Sequence, residues 1–243
     1  MYPSPKMSAY DRAATMFSPD GRLYQVEYAS KIVSQGTLGL GLVYDKGVLF
    51  GVDKKTSSKL LIPESIEKLF VIDDHIAAVS SGLVGDARRL VEIARQKAQE
   101  NMVYYEEPIH VETLVKEISG IKQAFTQYGG MRPFGVSFII GGVDESGKRL
   151  FETEPSGALA EYRAIAIGAG RNEAMDLFEK EFKDEMAYDD GIALMLKAIK
   201  KTLPESEKLD PSRLEFGYID LRMKYNSIPK EEMKSHLANF SKK

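Results

Sequence analysis

Thr37, Asp53 and Lys68 are the residues of this 243-residue chain whose types could together do chemistry. A threonine hydroxyl is a weak nucleophile until a base sits beside it, and a free α-amine on the same residue can serve. Such an amine titrates at about 7.7–8.0, well placed to take up a proton near neutrality. A lysine nearby would lower the proton affinity of the surroundings, and a carboxylate would hold that lysine. In "SQGTLGLGLVYDKGVLFGVDKKTSSK", residues 34–59, Asp53 ends the second strand of a hairpin, and Lys68 opens the strand that follows. If the two hairpins share a sheet, those strand ends approach Thr37. Cleavage between Gly36 and Thr37 would then yield an N-terminal-threonine peptidase.

The stretch before Thr37 points the other way. "SPDGRLYQVEYASKIV" predicts a helix over 18–33, with Ser18 as cap, Pro19 in the first helical position and Asp20 in the first turn. Leu23, Val26, Ala29 and Val33 recur at near-helical spacing, and an apolar stripe of this kind is normally packed. Packed across the end of a sheet, the helix fills the cleft a substrate needs. Thr37 then keeps a peptide nitrogen, which has no basic lone pair. Residues 1–17 read as an arm ahead of one domain spanning 18–243.

The elements that position these residues come in two blocks. "TLGLGLVYDKGVLFGVD" and "KLFVIDDHIAAVSS" alternate around short turns and read as hairpins. Two helical patterns follow, with Ala87, Leu90, Val91, Ala94, Ala98 and Met102 on one face of the first. Val111, Leu114, Val115, Ile118, Ile121 and Phe125 share a face of the second. The order repeats: strands in "FGVSFIIGGVDESGKRLFETEPSG" and "LAEYRAIAIGAG", then helices in "NEAMDLFEKEF" and "DGIALMLKAIKKTL". A strand, "RLEFGYIDLR", and a polar helix from near Pro229 close the chain. The blocks predict an α+β fold, a four-layer αββα sandwich of two mostly antiparallel sheets between helix pairs.

Several function classes fall away. The net charge of -3 comes from mixed acidic and basic residues, so no basic stripe marks a nucleic-acid surface. No apolar run approaches the ~20 residues a membrane span needs. The chain has no cysteine, hence no disulfide framework, thiolate metal site or cysteine nucleophile. His75, His110 and His236 are scattered, without a zinc-binding pair, and read as surface or turn residues. Neither a phosphate loop nor a complete GxGxxG is present. No cofactor or metal is expected, and a cytoplasmic location follows.

"YDRAATMFSPDGRLYQVEYA", residues 10–29, resembles the head signature of proteasome α subunits. "SIEKLF", "SSGLVGDARRLV" and "TQYGGMRPFGVSFIIGG" resemble the same family at the same spacings, and the likeness runs from about Tyr10 into the last helix. It is nearest the archaeal type, in which one kind of subunit fills a seven-membered ring. The family's fold is the Ntn-hydrolase sandwich. Its α rings cap inner β rings, and only β subunits expose a catalytic threonine. Lys68 lies one residue short of the β-subunit spacing from Thr37, as in the α pattern. The resemblance therefore implies no catalytic residue here. It implies a homo-heptameric gating ring partnered by β subunits, a regulatory AAA ATPase and unfolded proteins in transit. Tyr10, Asp11, Pro19 and Tyr28 match the cluster that holds the gate arm open. Lys68, with Leu23, Gly36 and Gly82, matches the pocket between neighbouring α subunits that receives an ATPase C-terminal tail. Tyr128, Gly129 and Gly130 match the turn that narrows the entrance channel, with glycine expected to cap the preceding helix. Two other readings stay open: the peptidase cut at Gly36-Thr37, and a self-assembling scaffold unrelated to proteolysis.

Overall fold

The computed structural model describes residues 15–55, 60–62, 65–204, 206–207 and 209–240. The first helix among the described residues, α1 (Tyr24–Gln35), starts later than the predicted residue 18. Ser18 to Gly21 form a β-turn instead. The Gly21 N–H donates to the Ser18 carbonyl (2.8 Å), and the Arg22 N–H donates to the Ser18 hydroxyl (3.0 Å). Proline suits the second position of a turn as well as it suits a first helical turn, so Ser-Pro-Asp carries both meanings; Gly21, at φ +74°, decides between them. The buried face of α1 is Tyr24, Ala29 and Val33, with Leu23 and Val26 only half-buried.

Ten strands follow among the described residues. β1 (Gly39–Tyr44), β2 (Gly47–Asp53), β8 (Ala164–Ile167), β9 (Leu214–Asp220) and β10 (Tyr225–Ser227) form one sheet, in the order β10-β9-β2-β1-β8. β3 (Leu69–Asp73), β4 (Ile76–Gly82), β5 (Val136–Asp144), β6 (Gly147–Thr153) and β7 (Leu159–Glu161) form the other, in chain order. Every pairing is antiparallel. The two early hairpins thus lie in different sheets rather than one.

Alternation along the strands builds three cores. Leu69, Ala77 and Val79 meet Val48, Phe50 and Val52 between the sheets. Phe70, Ile72 and Ala78 point the opposite way, against α2 (Val84–Tyr105) and α3 (Val111–Phe125). Leu40, Leu42 and Leu49 pack under α4 (Arg171–Glu181), α5 (Tyr188–Thr202) and α6 (Lys230–Phe240). The four-layer sandwich stands, with α6 as a third helix on one side. The segment "LAEYRAIAI" is two strands rather than one. Tyr162 donates its N–H to Leu150 in one sheet, and the Arg163 carbonyl accepts from Val43 in the other, so the chain changes sheet there. His75 occupies its predicted turn but is buried, with Nε2 2.8 Å from the Ile109 carbonyl oxygen. No helix among the described residues is long and apolar enough to cross a membrane.

Candidate functional site: the α1–β1 junction and the Lys68 strand

Thr37 sits in unbroken chain between α1 and β1. The carbonyl of Gly36, the acyl half of the bond that would have to be cut, accepts the Ala169 N–H at 2.8 Å. The Gly36 N–H closes the end of α1 on the Val33 carbonyl (2.9 Å). Ser81, at the end of β4, places its hydroxyl 3.1 Å from the carbonyl oxygens of both Val33 and Thr37. Helix end, candidate nucleophile and second sheet are thereby fastened together. An open cleft of about 430 Å³ remains beside α1, between Ser30, Val33, Ser137, Gly168 and Arg171, and Thr37 does not line it.

The three candidate residues do not converge. Asp53 lies beside Thr37's strand, its N–H donating to Leu38 (3.2 Å), but Arg213 holds its carboxylate through Nε (2.9 Å) and Nη2 (2.5 Å). Lys68 belongs to the other sheet, where its carbonyl accepts the Ser80 N–H at 2.9 Å. Leu69 faces the opposite sheet and Phe70 the helices, so alternation turns Lys68 to the helix side, away from Thr37. A one-residue offset reverses the face a side chain takes. The face that Lys68 takes is thus set by the register of β3 on β4, and it keeps the lysine from the threonine.

Lys68 is 6% exposed, and burial lowers its pKa. Among the described residues no hydrogen bond or ion pair engages its ammonium. Other shielded cations differ: Lys54 meets Glu215 at 2.9 Å, and Arg213 meets Asp53. Gly82 and Gly36 do come together, since a Cβ on Gly36 would fall 2.6 Å from the Gly82 nitrogen. Leu23 does not join them: it is the N-cap of α1 and Gly36 the C-cap, about 20 Å apart along the helix at 1.5 Å per residue.

Pro19 lies in the Ser18–Gly21 turn, and Tyr28 is exposed on α1. Tyr10 and Asp11 fall outside the described residues. Tyr128 is 64% exposed, and nothing crowds Gly129 or Gly130. The glycines do not cap α3: its C-cap is Thr126 in right-handed geometry, while Gly130 takes φ +81° further on.

Two groups that hold this turn were missed in the sequence. Asp86, in the first turn of α2, binds Arg132 at 2.6 and 2.7 Å and accepts the Gly135 N–H at 2.8 Å. Its burial favours the neutral acid, but the Arg132 and Gly135 hydrogen bonds outweigh that and keep the pKa below its ordinary value. A pair so distant in sequence leaves no local signal. Lys122 did leave one, as a lysine within the apolar stripe of α3, and it is fully buried.

A family model described as "Proteasome subunit" matches residues 33–219, and a second, for the N-terminal signature of the α-type proteasome subunits, matches residues 10–31. The chain belongs to the proteasome subunit family, among its α subunits. Relatives named as proteasome α subunits include that of Methanothermobacter thermautotrophicus, 51% identical over 95% of this chain and 92% of the relative. That of Methanopyrus kandleri is 52% identical over 89% of the chain and 87% of its own length. That of Methanosarcina barkeri is 49% identical over 100% and 97%.

Proposed function

We propose that this chain is a non-catalytic subunit of the outer ring of the 20S proteasome core, where seven copies gate entry to a chamber built by β subunits. The observation that carries this reading is the fastening of Gly36-Thr37: a helix packed ahead of it, and hydrogen bonds on the carbonyls of both residues. An amide nitrogen cannot replace the amine that a threonine nucleophile needs. The exposed apolar residues Phe17, Tyr28 and Ile32 give α1 and its approach an apolar outer surface, suited to packing against a neighbouring copy.

Lys68, Leu23, Gly36 and Gly82 form the ATPase-tail pocket in this reading, with Leu23 contributed by the adjacent subunit. The span of α1 supports that division, because one copy cannot supply both Leu23 and Gly36 to one small pocket. A buried ammonium without a carboxylate suits a terminal carboxylate, which it meets as a point charge. Tyr10, Asp11, Pro19 and Tyr28 hold the arm open, and the turn at Tyr128, Gly129 and Gly130 narrows the channel for unfolded chains. The particle works in the cytoplasm.

Negative-stain imaging of the purified chain, with peptidase assays before and after adding β subunits, tests the proposal. Seven-membered rings that hydrolyse nothing until β subunits join are the expected result. Peptide hydrolysis by the chain alone would refute it.

A further inference from the structure

Lys122 lies fully buried in α3, one helical turn before the 126–135 segment that carries Tyr128. Its ammonium reaches both strands behind that segment. It donates to the carbonyl of Val136, the first residue of β5, at 3.1 Å, and to the Thr153 carbonyl at the end of β6 at 3.0 Å. The Thr153 hydroxyl is 2.7 Å away, and the Nζ stands 4.9 Å from the centre of the Phe138 ring. An ammonium carries three protons, and three oxygens are placed to take them.

The charges that face Lys122 are Glu152 on β6 and Glu154 just beyond it, and no other charged group acts on it among the described residues. Glu152 is itself buried and bound by Arg171 of α4. Burial dominates over the attraction of both carboxylates and brings the Lys122 pKa down to about 7. A change of charge therefore falls close to neutrality.

We propose that Lys122 is a proton-operated brace for the 126–135 turn, tying the β5 stem of the turn to the neighbouring end of β6 when charged and slackening when neutral. On losing its proton to water, the Nζ keeps two N–H groups and gains a lone pair. The two carbonyls can accept only, so they retain the N–H bonds, now without charge assistance and about half as strong. The Thr153 hydroxyl is the one partner that can reverse, donating to the lone pair. In openings that break the Val136 bond while the Nζ stays shielded from water, the turn is stiffer below neutrality and more mobile above it; global unfolding, which releases the buried charge to water, has the opposite pH dependence. If the turn lines an entrance channel, as proposed above, the width of that channel fluctuates more at alkaline pH. Only this last consequence rests on the ring reading.

Amide hydrogen exchange across residues 126–135 of the full chain, at pH 6 and pH 8 and corrected for intrinsic rates, tests the brace. Protection in the wild type is expected to fall several-fold at the higher pH, with no such step in Lys122→Met. The same step in both proteins, or none in the wild type, overturns the proposal. An NMR titration of the lysine side chains in the native chain adds a readout that needs no variant. Lys122 must titrate near neutrality, and a midpoint above pH 9 also overturns it. Exchange is read whether or not rings form, so failure here and failure of the ring reading are separate results.

Discussion

The hydroxyl of Ser81 lies 3.1 Å from the carbonyl oxygen of Thr37, joining the end of β4 to the residue that a peptidase would need as its nucleophile. The same oxygen is equally close to the Val33 carbonyl, so its single proton ties β4 to the end of α1 or to the start of β1. Ser81→Ala leaves these carbonyls without that donor and should lower stability by about 1 kcal/mol. A shift in the denaturation midpoint with unchanged slope checks it. An unaltered midpoint would show that the hydroxyl fastens nothing.

Gly82, next to Ser81, permits a close approach of the end of β4 to Gly135. It holds φ +115°, and a Cβ there would sit 2.1 Å from the Gly135 carbonyl oxygen, part of the backbone. Neither strain nor clash can be relieved by a side-chain rotation. Gly82→Ala should cost about 3 kcal/mol or more, read as a lower Tm, whereas Gly129→Ala, in open space, should change little. Equal effects of the two changes would remove the argument.

Lys68→Ala should abolish stimulation by a tail-bearing ATPase, because in the proposed pocket Lys68 is the cation that meets the tail carboxylate. Cleavage of short peptides by an open-gated particle should persist. Stability should not fall, since the change removes a shielded ammonium with no carboxylate beside it among the described residues. Retained stimulation would move the docking site elsewhere.

Lys122 also carries a pH dependence of stability whose sign is opposite to that of a salt-bridged lysine. Its folded pKa, about 7, lies below the ordinary 10.5, so the unfolded chain binds more protons between these values. Stability therefore rises with pH across that window, by about 1.4 kcal/mol per unit at most. Below pH 7 the full cost of the buried charge is present. Denaturation of wild type and Lys122→Met at pH 6.5, 8 and 9.5 should show the wild type gaining on the variant as pH rises. A constant difference would contradict the shift.

Much of this architecture is legible in the residues themselves. The hairpin turns at Asp45 and Asp73, and α3 from Val111 to Phe125, follow from alternation and from apolar stripes, both of which are local. What was not legible depends on contacts between distant segments. Asp53 belongs to Arg213, far along the chain, and no spacing announces it. Tyr162 and Arg163 lie inside an apparently continuous strand, yet the backbone bonds to a different sheet on either side of them. Ser18-Pro19-Asp20 fits helix starts and turns alike, and Gly21 is the residue that tips it. The spacing of Lys68 from Thr37 is visible in the sequence, but the strand face it takes depends on the register of β3 and β4.

The intact mass of this subunit, taken from an assembled and proteolytically active particle, decides whether Thr37 is ever freed. A polypeptide that still carries the segment through Gly36 is expected, in a particle whose threonine N-termini belong to its partner subunits. A shortened chain beginning at Thr37, able to hydrolyse peptides by itself, would contradict that expectation.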